Sequence, residues 1–174
     1  RQNKIKAGQT ALELEQKLLR TQMNPHFIIN SLSAVQDYII KNNPLEASSY
    51  LSEFSKLMRA TLMNSSSELI SLTKEIETVE SYLKLQSIRL NDKFSYQIIL
   101  SEEIDTDEIF VPPMLLQPFI ENSVVHGIMK KINGKGSIKL RFMIQNNLLI
   151  LENEDNGIGR SEAAKYKSSG HVSK

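Results

Sequence analysis

The chain has 174 residues, enough for one domain or two small ones with a real core. A net charge of +1, with no basic stripe interleaved with aromatics, argues against a nucleic-acid surface. Cysteine is absent, which excludes disulfides, thiol catalysis and cysteine-based zinc sites, and no apolar run approaches the ~20 residues that span a bilayer.

Residues 1 to about 90 read as wholly helical; from about 94 onward strand and helix patterns mix. A first helix is predicted from about Ile5 to Ile40. Ile5, Leu12 and Leu19 repeat every seven residues, which suits packing along a partner helix. Pro25 interrupts this helix and should kink or unwind it. Beyond it, Ile28, Leu32, Val35 and Ile39 recur at helical spacing and predict a buried stripe. At ~100° per residue, His26 lies ~200° from Ile28, on a solvent face with Asn30, Ser33 and Asp37. Asn43 should cap a second helix with Pro44 at its first position. Ala47, Leu51, Phe54 and Met58 form its predicted stripe, and Asn64-Ser65-Ser66-Ser67 ends it. A third helix follows Ser71, with Ile76, Val79, Leu83 and Leu90 facing inward.

Phe94 to Leu100 reads as a strand, Ser101 to Glu108 as an acidic loop, and Ile109 to Val111 as a short extended piece. Pro112-Pro113 precede a helix predicted from about Met114 to Ile128, bent at Pro118. After a turn at Gly134-Lys135-Gly136, Ile138, Leu140, Phe142 and Ile144 alternate with polar or flexible residues, a strand with one buried face. Asn146-Asn147 turns into Leu148 to Leu151, expected as a buried strand. The second half is therefore expected to lay helices on one face of a sheet.

Three places carry chemistry. His26 titrates near neutrality and offers a nucleophilic nitrogen, suited to a phosphoryl acceptor or a general base; the alternative is a surface histidine without a role. Asn122 and His126 stand four residues apart on one helical face. The Asn122 carbonyl is a hard ligand that magnesium accepts beside phosphates and waters, and His126 is positioned for a phosphate oxygen. The alternative is a capping pair near Gly127. Asp155, followed by Gly157 and Gly159, offers an acceptor for an exocyclic amine such as that of adenine, with glycines that admit positive φ and close backbone approach. The alternative is an ordinary Asn-Gly turn.

The order of these signals resembles the cytoplasmic core of sensor histidine kinases, and more closely their LytS-like branch. Gln22-Met23-Asn24-Pro25-His26-Phe27 with Asn30-Ser31-Leu32 matches that branch's phosphoacceptor box. Leu116-Gln117-Pro118-Phe119-Ile120-Glu121-Asn122-Ser123 with His126-Gly127 matches its asparagine box. Asp155-Asn156-Gly157-Ile158-Gly159 matches the first glycine box of the GHKL nucleotide-binding fold. Leu72 and Glu75, through Tyr82-Leu83, Gln86 and Arg89, resemble the family's connecting helix. The resemblance covers roughly residues 15 to 160, and its first box is highly specific.

The resemblance implies a fold and a function. Residues 1–70 would form a helical dimerisation and phosphoacceptor hairpin, 71–93 a connecting helix, and 94–174 a GHKL (Bergerat) α/β sandwich that binds ATP. A hinge near 64–72 or 90–93 would let the two halves approach. His26 would accept the γ-phosphoryl group, with Asn30 in an orienting role. Asn122 would hold Mg2+, and Asp155 would read the adenine amine with Gly157 and Gly159 shaping that pocket. His126 would lie near the phosphates. The helical half would pair in a homodimer, and the phosphoryl group would pass to a response-regulator receiver domain. Membrane attachment would come only from upstream segments, leaving this part cytoplasmic. Phe27 follows His26 where many histidine kinases carry an acidic residue, so the general base is unassigned. No second glycine box follows Gly159, so the nucleotide domain is expected to be truncated and to bind ATP weakly alone. The alternative function is an inactive dimeric signalling scaffold. An ATP-hydrolysing GHKL relative is disfavoured, because Pro118 occupies the position of its catalytic glutamate.

Overall fold

The computed structural model describes residues 25–41, 43–131 and 133–159. They fall in two compact units that divide between Ser55 and Lys56. The predicted Ile5–Leu12–Leu19 repeat and the expected kink ahead of Pro25 lie outside the described residues.

The first unit holds helix α1 (Pro25–Ile40) and the start of α2 (Pro44–Ser65). Asn43 caps α2 as expected: its Oδ1 accepts the Glu46 N–H at 3.4 Å, and Pro44 occupies the first helical position, where a missing N–H costs nothing. The two helices meet through rings. Phe27 pairs with Phe54 and Tyr38 with Tyr50, each at 6.1 Å between centroids. Ser31, on the same face of α1, is buried.

This contact corrects two predicted stripes. The α1 face that packs here runs through Phe27, Ser31 and Tyr38, one residue earlier than the aliphatic series. Leu32 and Ile39 of that series are 49% and 62% exposed. On α2, Ala47, Tyr50 and Leu57 are buried while Leu51 is exposed. The physical reason is size: aromatic rings bury more area than the aliphatic series and set the rotation of both helices. Leu32 and Ile39 of the aliphatic series are thus left as exposed apolar positions, while Ile28 and Val35 are half-buried.

In the second unit, Ser65 and Ser66 end α2 by turning their hydroxyls back onto the Leu62 and Met63 carbonyls at 2.9 and 2.7 Å. Strand β1 (Ile70–Ser71) pairs antiparallel with β3 (Phe110–Val111). Between them come α3 (Leu72–Arg89) and β2 (Phe94–Leu100). Val79 and Leu83 of the predicted α3 stripe are buried, together with Leu72, Tyr82 and Leu85. Asn91 and Asp92 reverse the chain after α3 with φ of 51° and 52°, a conformation these two residue types tolerate.

A three-stranded sheet follows in the order β2–β4–β5, with β4 (Gly136–Gln145) central. It is parallel to β2 and antiparallel to β5 (Leu148–Asp155). Asn146 and Asn147, both at positive φ, make the hairpin turn. Phe94, Ile138, Leu140 and Phe142 fill the covered face. Gly136 belongs to the strand rather than the turn: a Cβ there would lie 2.8 Å from the Ile128 side chain, so helix and sheet could not close. The predicted buried strand 148–151 is also corrected. Leu148 is 66% exposed, and β5 is longer, its outer face solvated by Glu152 and Glu154 around Arg141.

The predicted helix from Met114 to Ile128 is shorter. Helix α4 (Gln117–Glu121) continues as a π-helical segment, Asn122–Ile128. Pro118 therefore sits in the first turn and bends nothing. Residues 114 to 116 are held out of the helix by Glu75 on α3. Its two carboxylate oxygens accept the Met114 and Leu116 N–H groups, each at 2.9 Å, and Met114 takes φ of 60°. Glu75 is 1% exposed, and burial outweighs its backbone donors, raising its pKa above the ordinary carboxyl value. A carboxyl raised by folding contributes stability that is present at low pH and lost as pH climbs through the folded pKa. In urea denaturation, wild type should therefore gain on Glu75→Gln as pH falls from neutrality toward the ordinary carboxyl range. A flat or shrinking difference contradicts this assignment.

Candidate functional site

The site is built where β5 meets the helix carrying the asparagine box. Along β5, Leu149, Leu151, Asn153 and Asp155 share the inner face by the two-residue period of a strand. The first two are apolar and line a cavity of about 360 Å³ with Leu72, Val111 and Phe142. The next two are polar and meet Ser123, buried on the π-helical segment. The Ser123 hydroxyl donates to Asp155 Oδ2 at 2.8 Å. The Asn153 amide donates to Ser123 Oγ at 2.9 Å and to the Phe119 carbonyl at 3.2 Å. Asp155 Oδ1 accepts the Gly157 N–H at 2.9 Å.

Two glycines let the elements approach. A Cβ on Gly157 would stand 2.4 Å from Gly127 Cα, and one on Gly127 would stand 2.8 Å from Asp155 Oδ1. Gly127 is thus a packing residue inside the helical segment rather than its end. Gly157 serves this contact. Gly159 is the residue with positive φ, at 77°, and has open space around its Cβ position. Asn156 closes the turn by accepting the Ser137 N–H on Oδ1 at 2.8 Å, while Lys131 Nζ donates to its backbone oxygen at 3.0 Å.

The second unit thus gathers Asn122, His126, Asp155, Gly157 and Gly159 around one junction of helix and strand. Asn122 is exposed, His126 half-buried, and Asp155 exposed at the strand end. The π winding is marked by the Met129 N–H donating to the Val124 carbonyl five residues back, at 2.9 Å. Such segments recur at functional sites because the widened turn re-aims side chains. His26 and Asn30 belong to α1 in the first unit; His26 is in its first turn, and Asn30 is half-buried.

Among the described residues, no three His, Cys, Asp or Glu side chains gather for a metal ion. Asn122, exposed on the π-helical segment, offers a carbonyl oxygen of the kind magnesium accepts beside phosphates and water. Asp155 fits an amine ligand, since a carboxylate has about four acceptor positions and among the described residues Ser123 takes one on Oδ2 and Gly157 one on Oδ1.

Ser123 and Asn153 carry no role in the sequence reading. The two-residue spacing of Asn153 from Asp155 was the available signal. Glu75 stood out only as part of the connecting-helix pattern, and its role as a backbone acceptor gave no signal, because its partners lie about 40 residues away.

The histidine kinase family model matches residues 14–94, which include the phosphoacceptor box and α3. The chain belongs to the sensor histidine kinases of LytS-like type. It is 31% identical over 142 residues to the sensor histidine kinase BtsS of Escherichia coli, covering 82% of this chain and 24% of that protein. It is 31% identical over 150 residues to the sensor protein LytS of Oceanobacillus iheyensis, covering 86% and 25%. It is 30% identical over 151 residues to the sensor protein kinase HptS of Staphylococcus aureus, covering 87% and 28%. This histidine kinase chain thus spans about a quarter of the length of these relatives. No helix among its described residues is long and apolar enough to cross a membrane.

Proposed function

We propose that this chain is the kinase core of a two-component sensor, which phosphorylates itself on His26 from ATP and hands the phosphoryl group to a response-regulator aspartate. The observation that carries the reading is the contact between the two ligand-bearing boxes. Ser123, beside Asn122, holds the Asp155 carboxylate, and Gly127, beside His126, packs on Gly157. One end of a nucleotide would meet Asp155, and its phosphates, with magnesium, would meet Asn122 and His126. Bound ATP supplies the γ-phosphoryl group: its bond to the bridging oxygen breaks, ADP leaves, and a nitrogen–phosphorus bond forms on the His26 imidazole, whose proton passes to solvent. The protein's part is positioning and charge neutralisation, which is most of what phosphoryl transfer requires.

In this reading residues 1–70 form the phosphoacceptor half, 71–93 the connection, and 94–174 part of a GHKL-type nucleotide domain. Asn30 orients the imidazole. Exposed Leu32 and Ile39 on α1 support pairing of the helical half with its twin, since apolar side chains on one helix are costly to leave in water. The part described works in the cytoplasm.

Titration with ATP tests the metal role. Asn122→Ala should weaken binding on the order of tenfold in magnesium and leave it unchanged in EDTA. Equal loss in both conditions would remove Asn122 from the metal.

A further inference from the structure

We infer that Ser123 and Asn153 are positioning residues that fix the Asp155 carboxylate and so set a preference for adenine over hypoxanthine nucleotides; this rests on the nucleotide reading above. The Asn153 amide has two N–H groups, and both are committed, one to the Phe119 carbonyl and one to Ser123 Oγ. A serine hydroxyl has a single proton. With Asn153 donating to its lone pair, that proton is directed at Asp155 Oδ2, 2.8 Å away. Oδ1 is held separately by the Gly157 N–H. Rotation of the carboxylate would break both bonds, and the present orientation already seats Oδ1 in the space that Gly127 leaves, where a Cβ would stand 2.8 Å from it.

Ser123 is 4% exposed, so the relay is shielded from water, while Asp155 is exposed and within reach of a ligand. A fixed edge that only accepts hydrogen bonds welcomes the exocyclic amine of adenine. It opposes the carbonyl oxygen that hypoxanthine carries at the same position. A carboxylate freed to rotate keeps its charge but loses the preorganisation on which that discrimination depends. A serine that merely filled space would affect both bases alike.

The test is calorimetric titration of the full chain with ATP and with ITP in magnesium, for wild type, Ser123→Ala and Asn153→Ala. The ratio of ATP to ITP affinity should fall on the order of tenfold in Ser123→Ala, chiefly through weaker ATP binding. Asn153→Ala, which removes the donor behind the hydroxyl, should move the ratio the same way and decides the matter if Ser123→Ala does not fold. If wild type binds ATP and the ratio is unchanged in a folded variant, or both nucleotides weaken equally, the inference fails and the nucleotide reading stands. If wild type binds neither nucleotide, both fail.

Discussion

His26→Gln should reduce phosphoryl label from γ-labelled ATP to background while leaving ATP binding and the fold intact. Glutamine keeps a polar side chain of similar reach but has no nucleophilic ring nitrogen, so the loss is chemical rather than structural. Imidazole is suited to the task because a large neutral fraction is present near pH 7. The label on wild type should be acid-labile and base-stable, as a nitrogen–phosphorus bond is. Wild-type levels of label in the variant would move the acceptor elsewhere in the chain. Absence of label from wild type, with fold and dimer intact, would favour the scaffold alternative.

The second large effect is expected at Gly157. Alanine there would bring a methyl to 2.4 Å from Gly127 Cα and 2.5 Å from its carbonyl carbon, both backbone atoms that cannot swing aside. The helix must then lift off the strand end, at a cost of about 3 kcal/mol, and the Ser123–Asp155 bond should go with it. Gly159→Ala is the control. Its φ of 77° strains an alanine by about 1 kcal/mol, yet none of the described residues lies within 4 Å of the new methyl. Urea denaturation of the two variants should separate them clearly. A Gly157→Ala protein as stable as Gly159→Ala would contradict the close packing of the two boxes.

These residues also mark how far the sequence could be read. Strand Phe94–Leu100 and the Asn146-Asn147 turn were legible because their signals are local: β-branched and aromatic residues in the first, two residues tolerant of positive φ in the second. The face of α1 was not, because Phe27 and Tyr38 find rings on another helix, and the aliphatic spacing beside them describes a different surface. The start of α4 was hidden for a similar reason: Glu75, remote in sequence, captures the N–H groups of Met114 and Leu116. The polar end of β5 looks like loop until Ser123 supplies a partner for its inner side chains and Arg141 for its outer ones. In the site, Asn122 and Asp155 are identifiable from their boxes. Ser123 and Asn153 emerge only once helix and strand are in contact.

The full chain is incubated with γ-labelled ATP and magnesium, digested at neutral to alkaline pH, and the labelled peptide identified by mass spectrometry. The account predicts label on the peptide containing His26 and on neither of those containing His126 or His171, the only other histidines. Label on another residue, or none on a folded chain that binds ATP, would contradict it.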